Sequence, residues 1–151
     1  MKRIEQDIKQ TKPFQSNYHK ASINIMYTGK WLVNLHNDLF KTFGLSMQQY
    51  NTLRILNGIY PRHVPLMYIK ERMLDKMSDA SRIVSTLFKK GLVTRAPSIT
   101  DRRKLDIVIS QKGLNLVAKV EKHHYKLYEL LSNLDDQEIK QLNFLLDKAR
   151  A

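Results

Sequence analysis

The stretch from Met77 to Ser110 constrains this chain more than any other. It sets a helix, a stop, a strand, a basic loop and a second strand in one short run. Ser78 to Lys90 contains neither Gly nor Pro, and Ile83, Val84, Leu87 and Phe88 recur at helical spacing as its expected buried face. Ser78 is the expected N-cap, because a short hydroxyl side chain there can satisfy a free N–H of the first turn. Asp79, Arg82, Ser85 and Thr86 then lie nearer solvent, with Ala80 and Ser81 at the leading end. Gly91 ends the helix, and Leu92-Val93-Thr94-Arg95 opens a strand. After Asp101-Arg102-Arg103-Lys104, the residues Leu105, Ile107 and Ile109 alternate with Asp106 and Val108, the period-two pattern of a half-buried strand.

That order of parts is the layout of a winged helix-turn-helix. The expected fold is mainly α with a small β-hairpin, flanked by N- and C-terminal dimerisation helices. Residues 1–15 read as a loose arm or short turn. Residues 16–43 read as a helix with Ile25, Leu32, Leu35, Leu39 and Phe43 on its apolar stripe, a kink at Gly29 and a cap at Gly44. Ser46-Met47-Gln48-Gln49 is a capping box opening a helix to about Asn57, with Tyr50, Leu53 and Leu56 inward. Pro61 to Pro65 marks a loop, and Leu66 to Leu74 a short helix with Ile69 and Met73 on one side. Ser110 is expected to cap one long helix to about Leu131, striped by Leu114, Val117, Val120, His124, Leu127 and Leu131. A second capping box, Asp135 to Glu138, opens a last helix carrying Ile139, Leu142, Leu145 and Leu146.

At 151 residues the chain reads as a single domain, 1–151, with a winged head at about 45–110. The outer helices, 16–43 and 111–149, carry apolar stripes too wide for so small a head to cover. The simplest cover is a second copy related by two-fold symmetry.

Charge points to the partner. The formal net charge is +12, and residues 54–104 hold twelve Lys/Arg against four Asp/Glu, a net +8. A surplus gathered on the expected reading head fits a polyanion. A helix enters the major groove with its first residues against base edges. Ser78 and Ser81 can bond bases or phosphates, Ala80 can touch a thymine methyl, and Arg82 can read guanine or clamp a phosphate. Asp79 is repelled by phosphates, so it either accepts from cytosine or stabilises the helix N-terminus; the second reading is favoured. Arginines in the hairpin loop 96–104 suit a narrow minor groove, with Asp101 able to brace a guanidinium.

Leu87 to Arg95, Asp101-Arg102-Arg103 and Ile107-Val108-Ile109-Ser110-Gln111-Lys112-Gly113 together resemble the signature of MarR-type transcription regulators. The pattern runs from Leu through Gly-Leu-Val and a basic residue to an Asp-Arg-Arg wing, an apolar strand, then Ser or Thr and Lys-Gly. Ser46 to Leu56, with Gln49-Tyr50, resembles the second helix of the family, and the likeness spans roughly residues 20–149 in order and spacing. It implies a cytoplasmic, homodimeric DNA-binding regulator, most often a repressor on a pseudo-palindromic operator, released by a small ligand. It implies that the two heads sit in successive major grooves of double-stranded DNA. Arg103 corresponds to the wing arginine that enters the minor groove, held by Asp101, and Ser78, Ser81 and Arg82 match the reading positions. The DNA-binding set is completed by Asp79, Ala80, Ser85, Arg95, Arg102 and Lys104. Two residues depart from the pattern: Asp79, usually neutral, and Ser110, more often Thr. The resemblance also implies a small aromatic or anionic effector bound between dimer helices and head. Tyr27, Trp31, Phe40 and Tyr50 are the candidates to line that pocket, although each taken singly reads as ordinary core.

Other chemistry finds little support. There is no cysteine, hence no disulfide or thiolate metal site. His123 and His124 are adjacent, and side chains about 100° apart on a helix do not share one metal. No metal or cofactor is therefore expected, and no Gly-rich phosphate loop or nucleophile elbow suggests an enzyme. The first fifteen residues are polar, unlike a secretory leader, and no run of about 18 apolar residues could span a membrane. A second class of function stays open: a winged-helix protein-interaction subunit without specific DNA binding. The intact Asp101-Arg102-Arg103 motif and the basic clustering weigh against it.

Overall fold

The computed structural model of the chain describes residues 2–98, 105–123 and 125–151. Among the described residues, eight α-helical segments and three strands follow in the order α1 (Ile4–Asp7), α2 (Asn17–Lys41), α3 (Met47–Asn57), β1 (Val64–Pro65), α4 (Leu66–Arg72), α5 (Ala80–Lys89), β2 (Val93–Pro97), β3 (Leu105–Ile109), α6 (Gln111–Glu121), α7 (Tyr125–Tyr128) and, after a 3-10 turn at Glu129–Leu131, α8 (Asp136–Lys148). The chain is thus mainly helical, with a small three-stranded antiparallel sheet of order β1-β3-β2.

Helix starts follow side-chain chemistry. Ser16 Oγ accepts from His19 N at 3.1 Å, Ser46 Oγ from Gln49 N at 3.2 Å, Ser110 Oγ from Gly113 N at 3.1 Å and Asp135 Oδ1 from Glu138 N at 2.9 Å. Each bond satisfies an N–H that has no partner within its own helix. Gly44 and Gly91 sit at φ +68° and +69°, the left-handed conformation that ends a helix at little cost only for glycine. α2 runs as one continuous helix through Gly29.

The core is the head. Leu53, Leu56, Ile69, Met73, Val84, Leu87, Ile107, Ile109, Val117 and Val120 are all buried, and Phe40 joins them from the C-terminal end of α2. α3 lies at the centre, packed against α2, α4, α5, α6 and β3. Gly113 holds the closest approach, since a Cβ there would stand 2.2 Å from the Leu92 carbonyl oxygen.

Four expectations need correction. The loop expected over Pro61 to Pro65 holds a short strand instead: the two residues of β1 pair with the middle strand, Val64 opposite Ile107 and Pro65 opposite Asp106. β3 is not half-buried in alternation: Ile107, Val108 and Ile109 are all buried and Leu105 is exposed, because β3 is the central strand with its inner end under the helices. The helix after Ser110 ends at Glu121 rather than near Leu131. Val120 is its last buried residue, and a helix without a packed face is marginal below about 12–15 residues. His124, and the side chain of Leu127 on the same stripe, lie outside the description. Phe88, expected inward, is 47% exposed, with the Arg95 guanidinium 4.9 Å above its ring.

Candidate nucleic-acid interface

α5 and its approach form a hydrogen-bonded platform. The Asp75 carboxylate accepts from Met77 N at 3.0 Å and from Ser78 Oγ at 2.6 Å. These bonds hold its pKa below the usual aspartate range, the Ser78 hydroxyl contributing most. Ser78 is therefore tied to Asp75 and is not the N-cap. That position belongs to Asp79, whose Oδ1 accepts from Arg82 N at 3.0 Å. A carboxylate at a helix N-terminus also complements the helix dipole.

Of the residues expected to read DNA, Ser81 and Arg82 are exposed on the first turn of α5 and Ser85 is half-buried one turn on. Ala80 is the exception: it is only 5% exposed and packs into the core, so in this conformation it cannot meet a thymine methyl. Ile107 pairs with Arg95 across the hairpin, and Arg95 helps line a cleft of about 180 Å³ with Leu66, Ser81 and Leu105. This joins α5 to the base of the β2–β3 pair. Asp101, Arg102, Arg103 and Lys104 lie outside the described residues.

The far end of α5 is clamped too. Lys90 Nζ donates to the Gly44 carbonyl at 2.7 Å and to Gln49 Oε1 at 3.0 Å, and Lys112 Nζ donates to the Lys90 carbonyl at 2.8 Å. α2, α3, α5 and α6 thus meet at one polar junction, which no periodic signal reveals.

Between α2, α3 and the turn after α4 lies a cavity of about 270 Å³, lined by His36, Phe40, Met47, Tyr50, Asn51, Arg54 and Leu74. Phe40 and Tyr50 stack there at 4.3 Å between ring centroids. Burial pushes the Tyr50 phenol up, partly offset by the neighbouring Arg54 guanidinium. The phenol in turn favours the charged form of Arg54, which lies 3.6 Å from Glu121 on α6. The result is a mostly apolar hollow with one fixed positive charge. Tyr27 and Trp31 do not line it; they sit more than one turn earlier on α2, beside Lys2 and Ile4 of the N-terminal arm. Among the described residues no three His, Asp or Glu side chains gather as a metal site, and no helix is long and apolar enough to cross a membrane.

No protein-family model matches the chain, and no curated protein does. Solved structures do. A MarR transcription factor from Planctomyces limnophilus is 28% identical at a TM-score of 0.69, over 89% of this chain and 98% of that one. A MarR mutant from E. coli complexed with operator DNA is 20% identical at 0.74, over 83% and 89%. The organohalide-sensing regulator RdhR-CbdbA1625 in its 2,4-dichlorophenol-bound form is 18% identical at 0.80, over 93% and 86%. The structural neighbours are MarR-family transcription regulators over most of the chain, at low sequence identity, and the chain has their winged-helix fold. That family is one of DNA-binding regulators and not of enzymes.

Proposed function

We propose that the chain is a sequence-specific DNA-binding transcription regulator, acting in the cytoplasm as a homodimeric repressor on a pseudo-palindromic operator. The observation that supports this most is the start of α5. Ser81 and Arg82 are exposed there on a capped helix, and the segment around it carries most of the net positive charge. A neighbour of the same fold was crystallised with operator DNA. On this reading Ser78, Ser81, Arg82 and Ser85 face the major groove, and Asp79 serves the helix rather than a base. Arg95, Arg102 and Lys104 meet phosphates. Arg103 enters the minor groove with Asp101 as its brace.

The second copy covers the exposed apolar residues of α2 and α8, among them Ile25, Met26, Leu142, Phe144 and Leu145. The cavity at Phe40, Tyr50 and Arg54 takes a small aromatic effector, its polar or anionic head toward Arg54. The apolar lining, the single cation and a dichlorophenol-bound neighbour support that choice.

Binding to a duplex from the protein's own promoter region, with excess non-specific DNA, tests the reading. Specific retention is expected, with a log–log salt slope near −0.9 per phosphate for about 6–10 phosphates. Arg103→Ala should weaken it by about 1–3 kcal/mol, Asp101→Ala by part of that, and the pair by less than the sum. Equal affinity for the promoter and a scrambled duplex would contradict specific readout.

A further inference from the structure

The wall of the cavity and the start of the recognition helix share atoms. Asn51 lines the cavity from α3, and its Oδ1 accepts from the Leu74 backbone N–H at 3.1 Å. Leu74 lines the same cavity and is the first residue of the turn that leads to α5. Asp75 follows, gripping Met77 N–H and Ser78 Oγ, and Asp79 then caps the helix. Gln48, one turn before Asn51 on α3, stands near Asp75 and helps to lower its pKa.

Apolar packing does little to fix this turn. Leu74 is 75% exposed and Met77 94%, whereas Met73 just before them is buried. Between Met73 and Ala80, the next buried residue, the chain is held by hydrogen bonds from α3 and within the turn itself. At the other end of α5, Lys90 Nζ donates to Gln49 Oε1 of α3. α3 therefore grips both ends of the recognition unit, and Asn51 is the grip that a molecule in the cavity can touch.

We propose that Asn51 is the positioning residue through which occupancy of the cavity sets the recognition helix. The proposal rests on the effector reading above. An occupant that takes the Asn51 amide, or pushes Leu74 outward, removes the bond to the Leu74 N–H. The turn is then free to shift, and with it the Asp79 cap that sets the first turn of α5, where Ser81 and Arg82 stand. A ligand shifts such an equilibrium only by its differential affinity for the two states. A single neutral hydrogen bond corresponds to roughly a three- to ten-fold change.

Three proteins test it: wild type, Asn51→Ala and Asn51→Asp, the last keeping an oxygen for the Leu74 N–H. Operator affinity is read by fluorescence anisotropy with and without 2,4-dichlorophenol as the probe. Uptake of the probe is read by calorimetry, and amide exchange is followed at residues 74–78. Without the probe, Asn51→Ala should bind operator roughly three- to ten-fold more weakly and exchange faster at 74–78 by a similar factor. Exchange at Val117 and Val120 should be unchanged, and Asn51→Asp should stay close to wild type. With the probe bound, wild type should lose operator affinity while Asn51→Ala loses no more than it already has. A merely structural Asn51 would lower affinity and leave the response to the probe intact. The proposal is overturned if Asn51→Ala binds the probe and responds as wild type does, or if it matches wild type in both operator affinity and exchange at 74–78. A wild-type protein that does not take up the probe counts against the effector reading, and the exchange and affinity measurements still decide whether Asn51 positions the helix.

Discussion

Leu53 and Leu145 are the same side chain on helices of similar length, yet Leu53 is fully buried and Leu145 is 51% exposed. The contrast holds across their regions. In the head, α3, α4, α5, the inner end of α6 and the sheet bury one another, so the chain supplies the partners for most of its core-facing apolar residues. In the outer helices the stripe continues and the partner does not. α8 has no buried residue, and Ile25, Met26 and Trp31 of α2 remain exposed. An amphipathic face costs free energy while it is wet, so on the proposed reading the two regions serve different assemblies: one closes within a chain, the other between two copies.

The largest expected effect separates the two. Leu142→Glu with Leu145→Glu alters four side chains per dimer. At about 1.5–3 kcal/mol for each buried leucine, association should weaken by on the order of 6 kcal/mol or more. Light scattering should then show monomers at micromolar concentration, with the melting of the head little changed. Loss of the head's fold in this variant would mean the two regions are not separable. Leu53→Ala is the converse. It should cost about 2–5 kcal/mol of stability through the cavity it leaves, by the same amount at any protein concentration. A denaturation midpoint that moves with concentration more than it does for wild type would place Leu53 in the assembly and blur the comparison.

Smaller effects sharpen the picture within the head. Asp79→Ala removes the cap on Arg82 N–H and should cost about 1 kcal/mol of stability. Its preference among operator variants should stay that of wild type; a changed preference would return Asp79 to base reading. The smallest effect is one of pH. The hydrogen bonds to Asp75 hold its folded pKa below the unfolded value. Their contribution is therefore complete at neutral pH and lost as pH falls through that depressed value. Amide exchange at residues 74–79 should rise in that acid window, and Asp75→Asn should remove the pH dependence of the turn. Glu5, lowered mainly by its hydrogen bond with Lys20, loosens the N-terminal arm in the same direction, so exchange at residues 4–20 distinguishes the two.

The head was legible because its signals are local. Ser46 with Gln49, the stripe at Tyr50, Leu53 and Leu56, and Gly91 before an apolar pair each fix an element from within a few residues. What stayed hidden depends on distance. Val64-Pro65 becomes a strand only because Ile107 lies opposite, more than forty residues on. Ser78 and Asp79 are both good caps, and Asp75 decides between them by taking the Ser78 hydroxyl. Helical periodicity suggested one long helix past Ser110, but periodicity does not reveal where a chain runs out of partners. The cavity was half visible. Phe40 and Tyr50 stood out as aromatics, whereas His36, Asn51 and Arg54 line it through the crossing of α2, α3 and the turn at Leu74, which no spacing encodes.

Stoichiometry on DNA tests the central claim most directly, since it engages the reading head and the outer helices together. Sedimentation of a labelled promoter duplex titrated with the protein should give two chains per specific site. Leu142→Glu with Leu145→Glu should bind the same duplex only weakly, one chain at a time. A single wild-type chain bound per site at full affinity, or a double variant that binds as tightly as wild type, would contradict the account.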